Sequence, residues 1–150
     1  MARRMASSSG GMVPSEDEAI LRAIGKWLSV NGEALYGART WRKFGEGPTQ
    51  IVEGQFADGV KKNFTCHDFR FTTKDGYLYA AAMKTSEDGE YTIVSLGEQD
   101  ASKQANFHGI IRCVETLGEG KAKWSRDAQG LHIHSDLKSD MPIVFKIRID

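Results

Sequence analysis

From Phe69 to Ile149 the chain is written in short alternating runs broken by turn signals, and few folds accept that pattern. Phe69-Arg70-Phe71-Thr72-Thr73 alternates apolar and polar residues. Lys74-Asp75-Gly76 follows as a hairpin signal, with Tyr77 to Met83 as the return strand. Glu87-Asp88-Gly89 marks the next turn, before a run from Tyr91 to Leu96. Gly109 to Leu117, Ala122 to Ser125, Gly130 to His134 and Ile143 to Ile149 read as further strands. Asp127-Ala128-Gln129-Gly130 and Ser139-Asp140-Met141-Pro142 read as the turns among them. Six or more such strands, each with one apolar face, predict two packed layers. The expected fold is mainly β: an antiparallel β-sandwich preceded by one amphipathic α-helix and a long linker.

The helix is well marked. Ser15 and Glu18 form a Ser-x-x-Glu capping box just after Pro14. Ile20, Leu21, Ile24, Trp27 and Leu28 recur every three to four residues as one apolar stripe. Asn31-Gly32 is expected to end the helix, because both residues tolerate the left-handed conformation of a C-terminal cap. Gly32 to Trp41 is neither helix-periodic nor strand-alternating. Gly45, Gly47-Pro48, Gly54 and Gly59 then punctuate an irregular stretch to Thr65, expected to be a linker anchored by Ile51, Val52 and Phe56. Residues 1–10 are small and polar and are expected to be a disordered or extraneous start. Two arginines near that start are followed by no hydrophobic stretch of the kind a signal peptide carries.

Composition narrows the partners. In a chain of 150 residues, 20 basic and 20 acidic side chains cancel, so no overall field recruits nucleic acid or an anionic membrane. No apolar run approaches the ~20 residues of a membrane span. Cys66 and Cys113 stand far apart with no metal-ligand spacing, and they read as buried thiols or as a pair. Asn63-Phe64-Thr65 is a glycosylation sequon, a short pattern with a high chance rate.

The wording around the helix is more specific. Ile24-Gly25-Lys26-Trp27-Leu28, Asn31-Gly32-Glu33-Ala34-Leu35-Tyr36-Gly37, then Trp41 and Gly45-Glu46-Gly47-Pro48-Thr49, resembles the alpha-L-fucosidases of glycoside hydrolase family twenty-nine. The resemblance continues through Asp68-Phe69-Arg70-Phe71-Thr72-Thr73-Lys74, Leu78-Tyr79-Ala80 and the closing strand to Ile149. Leu35 and Thr40 depart from it, where Ile and Pro are commoner. The resemblance implies that the helix is the last one of a catalytic (β/α)8 barrel, leading by a linker into a C-terminal β-sandwich. It also implies an organisation: residues 1–10 apart, 11–41 as the last barrel helix and its connector, and 42–150 as the sandwich with the linker that leads into it. The rest of the barrel is absent from the chain, which is expected to start just after the last barrel strand.

Candidate chemistry is sparse. His132-x-His134 places two imidazoles on one face of a strand, but no convincing third metal ligand stands near, so two solvent-facing strand residues are expected. Trp27 belongs to the helix stripe and to packing. Trp41 and Trp124 are the weak candidates for a sugar-stacking platform. Glycoside hydrolysis needs two carboxylates about 5 to 9 Å apart. Glu16, Asp17 and Glu18 suit a helix start, while Asp75, Glu87, Asp88 and Asp127 suit turns. The resemblance implies a retaining mechanism whose nucleophile and acid/base both lie in the barrel, so it assigns no catalytic residue here. No cofactor or metal is expected.

Three functions remain: a non-catalytic domain that covers and stabilises a fucosidase barrel, an independent carbohydrate-binding module, or an enzyme with an unrecognised site. The helix favours the first, because a self-sufficient binding module needs no barrel helix. The partner expected under the first reading is the catalytic barrel, under the second a fucosylated glycan, and the uncovered stripe is expected to bring a second copy of the chain.

Overall fold

The computed structural model describes residues 15–49, 64–98 and 109–150. They form two antiparallel sheets facing each other, with a single helix on the outside. The first sheet has six strands: β1 (Arg39–Glu46), β2 (Phe69–Lys74), β3 (Tyr77–Ala82), β9 (Ile143–Ile149), β5 (Ile111–Thr116) and β6 (Gly120–Lys121), in that spatial order. The second has three: β4 (Glu90–Ile93), β8 (Gly130–His134) and β7 (Lys123–Asp127). The sandwich expected from the strand spacing is present.

Local chemistry sets the first hairpin. Asp75 and Gly76 both have positive φ, 53° and 85°, which is the two-residue turn that matches the twist of paired strands. It fixes a register from Lys74 opposite Tyr77 to Phe69 opposite Ala82. Alternation then sends Phe69, Phe71, Leu78, Ala80 and Ala82 inward. They meet Tyr91, Ile93, Leu131 and Ile133 from the second sheet, with Tyr91 edge-on to Phe145 at 5.0 Å. The last strand, β9, lies between β3 and β5 and is buried on both faces over Ile143-Val144-Phe145. A second cluster explains this: Val144, Tyr79, Leu117 and Ala34 pack on the outer face, joined by Trp27, Tyr77 and Ala81.

Trp27 is the contact from α1 (Ser15–Asn31). Its indole Nε1 donates to the Pro142 carbonyl at 2.6 Å. Thr72 Oγ1 donates to the Ala34 carbonyl, and Glu33 accepts from Tyr79 Oη and pairs with Lys146, so the chain just after the helix is fastened to the same sheet face. The N-terminal half of the helix is less well covered. Leu21 and Leu28 are half-buried, whereas Ile20 and Ile24 are 57% and 39% exposed.

Three expectations are corrected. The helix does end at Asn31, but Gly32 has no left-handed backbone; a 3-10 turn, Gly32–Ala34, continues instead. The exposed Tyr36 ring lies over Gly32, where a Cβ would come to 2.5 Å from it and push it aside. The start of the supposed linker is strand β1, paired with β2 at Arg39, Thr40, Gly45 and Glu46. Trp41 to Phe44 bulge out of register between those pairs, and there Lys43 takes a half-buried place, bonded to Ser95, while Phe44 is exposed, so the sequence shows no apolar alternation that would reveal a strand. The run from Tyr91 to Leu96 stops being a strand at Ile93 and becomes a 3-10 turn, Val94–Leu96. The Glu46 carboxylate accepts from the backbone N–H groups of Val94 and Ser95, at 2.7 and 2.8 Å, and so caps that turn. The same contact ties β1 to the second sheet and closes one edge of the sandwich. Residues 1–10, Asn63 and the anchors Ile51, Val52 and Phe56 lie outside the described residues. Cys66 and Cys113 are free, half-buried thiols.

Candidate functional site

The two tryptophans singled out as sugar platforms do not come together. Trp41 lies in the β1 bulge and Trp124 on β7, at the opposite edge of the sandwich from the Glu46 closure. Trp41 is half-buried, edge-on to Phe71 at 5.3 Å, with the Arg42 guanidinium 5.2 Å from its ring centre. Its ring is engaged in packing. Trp124 stands opposite Ile133 and is 36% exposed, so a ring face remains within reach of a ligand.

His132 and His134 do share the outer face of the second sheet, with every ring nitrogen engaged. His132 Nδ1 is 3.0 Å from Thr92 Oγ1, and its Nε2 is 3.0 Å from the Asp127 carboxylate. His134 Nδ1 is 2.6 Å from Glu90 and its Nε2 3.0 Å from Asp136. Rather than standing free in solvent, both rings are bound to carboxylates and half-buried. Among the described residues no group of three or more His, Cys, Asp and Glu has the geometry to hold a metal ion.

The carboxylates are arranged for holding. Hydrogen bonding from Lys146, helped by Tyr79, keeps Glu33 below the usual carboxyl range against some desolvation. Burial would raise Asp68, but bonds from Thr65 and Thr49 outweigh it and lower its pKa. Asp88 is lowered by the Ser86 hydroxyl and the Glu90 N–H, and Asp127 by His132 and then the Gln129 N–H. A glycosidase acid needs the reverse, a pKa raised toward neutrality. These four sites do the opposite.

Sequence reasoning missed two clamps. Asp68 is fully buried and accepts four hydrogen bonds: Thr49 N at 2.9 Å, Thr49 Oγ1 at 2.8 Å, Thr65 N at 2.7 Å and Thr65 Oγ1 at 2.9 Å. It therefore joins two points of chain sixteen residues apart. Arg126 does the same with a guanidinium, donating to the carbonyls of Leu96, Gly97 and Gly109. No local pattern announces either residue.

An apolar groove lies beside the helix. Of about 420 Å³, it runs between Trp27 and Val30 on one side and Leu137, Met141 and Pro142 on the other, with Leu117 in its floor. Along the same helix, the exposed Ile20 and Ile24 continue that apolar surface toward the N-terminal end. No helix among the described residues is long and apolar enough to cross a membrane.

No protein-family model matches the chain. Among curated proteins it is 30% identical over 122 residues to the tissue alpha-L-fucosidase of Rattus norvegicus, covering 81% of this chain and 20% of that protein. It is 30% identical over 129 residues to the tissue alpha-L-fucosidase of Homo sapiens, covering 85% of this chain and 22% of that protein. The chain thus spans about a fifth of the length of the curated relatives it matches. Among solved structures, Thermotoga maritima alpha-fucosidase in complex with fucose matches with a TM-score of 0.58 at 18% identity, over 91% of this chain and 27% of the other. The same enzyme with a mechanism-based inhibitor gives 0.59 at 17%, over 92% and 27%. At such identities the structural likeness speaks for the fold. The matches fit a C-terminal portion of those proteins, as the wording around the helix implies.

Proposed function

We propose that this chain, a fucosidase-related domain, serves as the non-catalytic C-terminal domain of an alpha-L-fucosidase, covering and stabilising its catalytic barrel. In that reading residues 11–41 are the last barrel helix and its connector, and 42–150 the sandwich with the linker that leads into it, although strand β1 of the sandwich already begins at Arg39. The observation that carries it is the divided seating of α1. Trp27 and the turn after the helix are fixed to the sandwich, while Ile20 and Ile24 remain exposed. A helix belonging wholly to the sandwich would turn its whole stripe onto it. Covering a large apolar side chain is worth roughly 1.5 to 3 kcal/mol. The part these two isoleucines still expose therefore represents about 2 kcal/mol. That supports a cover lying beyond the sandwich.

The chain alone is expected not to hydrolyse an aryl alpha-L-fucoside. A rate that follows the purified protein through two unrelated columns would overturn the reading. A second reading, a carbohydrate-binding module, draws on the exposed ring of Trp124. Under the reading proposed here, fucose and fucosylated oligosaccharides give no saturable signal at millimolar concentrations in calorimetric or NMR titration. Saturable binding lost in Trp124→Ala would favour the binding module instead.

A further inference from the structure

His134 sits where two strands and the segment after them meet. Alternation along β8 turns Leu131 and Ile133 into the core, which leaves His132 and His134 on the outer face. Glu90 is the register partner of His134 on β4, and its Oε1 lies 2.6 Å from His134 Nδ1. Beyond the other side of the ring, Asp136 Oδ1 lies 3.0 Å from Nε2. An ionised carboxylate only accepts hydrogen bonds. Both contacts are therefore hydrogen bonds only when each ring nitrogen carries a proton, that is, in the imidazolium. A neutral ring would point a lone pair at one of the two carboxylates. His132 has no such requirement, since the Thr92 hydroxyl at its Nδ1 can donate or accept.

Other charges surround the ring. Lys123 on β7 is the register partner of His134 on its other side. Asp88 holds the Glu90 N–H and Glu119 the Ser135 hydroxyl, on either side of it. Lys138 is turned to the carbonyls of Ser86 and Glu87. The Glu90 contact raises the ring's affinity for a proton most, the Asp136 contact next, against slight desolvation.

Asp136 is also the start of the way to the helix. The segment 135–142 ends at Pro142, whose carbonyl takes the Trp27 indole proton, and its Leu137 and Met141 form the groove wall facing α1. Ser135 N–H bonds to Gly89 O and Thr85 to Ser139, so the segment is pinned at intervals along the turn before β4.

We propose that His134 is a pH-operated latch: as imidazolium it bridges Glu90 to Asp136 and holds the 135–142 segment as the wall on which α1 is seated, and as neutral imidazole it releases one of them. The direction follows from the two carboxylates. A histidine pKa raised above the ordinary 6.5 gives stabilisation that is complete below 6.5 and is lost as pH rises through the higher folded value. The helix seat should loosen from neutral toward alkaline pH. The latch works within this chain and does not depend on what covers the exposed end of α1.

The test follows two signals from about pH 5 to about pH 9, the range in which histidine changes charge. One is the NMR titration of each histidine ring; the other is the Trp27 indole resonance, which reports the contact to Pro142. The expected result is a His134 midpoint above 6.5, with a Trp27 shift of the same midpoint. His134→Gln and Asp136→Asn should each abolish that Trp27 shift, and His132→Gln should leave it in place. A His134 midpoint at or below 6.5, a Trp27 signal flat across the range, or a Trp27 shift unchanged by His134→Gln would overturn the proposal.

Discussion

Asp68 holds two stretches of chain with one side chain. Its carboxylate is buried and takes four hydrogen bonds from Thr49 and Thr65. Asp68→Asn replaces one accepting oxygen with a donor that faces other donors. Leaving buried groups unpaired costs about 1–3 kcal/mol, so urea unfolding at neutral pH should show a loss of about 2 to 3 kcal/mol. The sign with pH is fixed as well. A depressed carboxyl contributes stability that is present above its unfolded value of 3.8 and fades as pH falls through the lower folded value. The gap between wild type and Asp68→Asn should therefore narrow in acid; a gap that stays constant would mean the carboxylate's charge is not what the clamp uses. At this scale little could be read from the chain. Asp68 reaches nineteen residues back to Thr49, Arg126 reaches thirty back to Leu96, and Glu46 forty-eight ahead to Val94. Such bonds leave no period or spacing in the sequence. The turn at Asp75-Gly76 leaves a clear one, because its chemistry is local.

Among the elements, α1 and β1 separate what periodicity can show from what it cannot. The helix was legible from its stripe, and so was its end at Asn31. Which part of the stripe would be covered was not, because that depends on where the sheet stops beneath it. β1 was hidden because, in its bulged stretch from Trp41 to Phe44, Lys43 is half-buried against Ser95 while Phe44 is exposed. The helix seat has a simple test. Trp27→Ala removes the indole bond to Pro142 and the packing on Tyr79 and Val144. Truncating a large aromatic costs up to 3–5 kcal/mol when fully buried, and a half-buried one roughly half as much. Circular dichroism should lose helix while the sandwich's own unfolding transition persists, since the main core of Phe69, Phe71, Tyr91 and Phe145 does not touch α1. Loss of both together would show helix and sandwich to be one cooperative unit. The exposed half of the stripe carries a second prediction. With no barrel present, Ile20 and Ile24 are available to a second copy, and the chain should self-associate with rising concentration. Light scattering behind a sizing column reads this directly, with Ile24→Glu expected to shift the distribution to monomer. A strict monomer insensitive to that substitution would remove self-association from the picture.

For the molecule as a whole, the sandwich, its likeness to alpha-L-fucosidases and the placing of the helix before it were all legible in the chain. Strand alternation carried the fold, and the phrase from Ile24 to Thr49 carried the relationship. The pairing of sheets was not legible. β9 enters the centre of the six-stranded sheet from the end of the chain, and β4 pairs with β8 across some forty residues, which no local signal specifies. The central claim is that this domain is one half of a contact, with α1 as the shared element. Hydrogen exchange along α1 tests it most directly, measured on the chain alone and again with the separately produced catalytic barrel of a tissue alpha-L-fucosidase. Alone, the amides near Trp27 and Asn31 should be protected and those near Ile20 should exchange freely. With the barrel, the Ile20 and Ile24 end should become protected as well, and Ile20→Glu with Ile24→Glu should prevent it. Uniform protection along the whole helix in the isolated chain, or no change on adding the barrel, would contradict the claim.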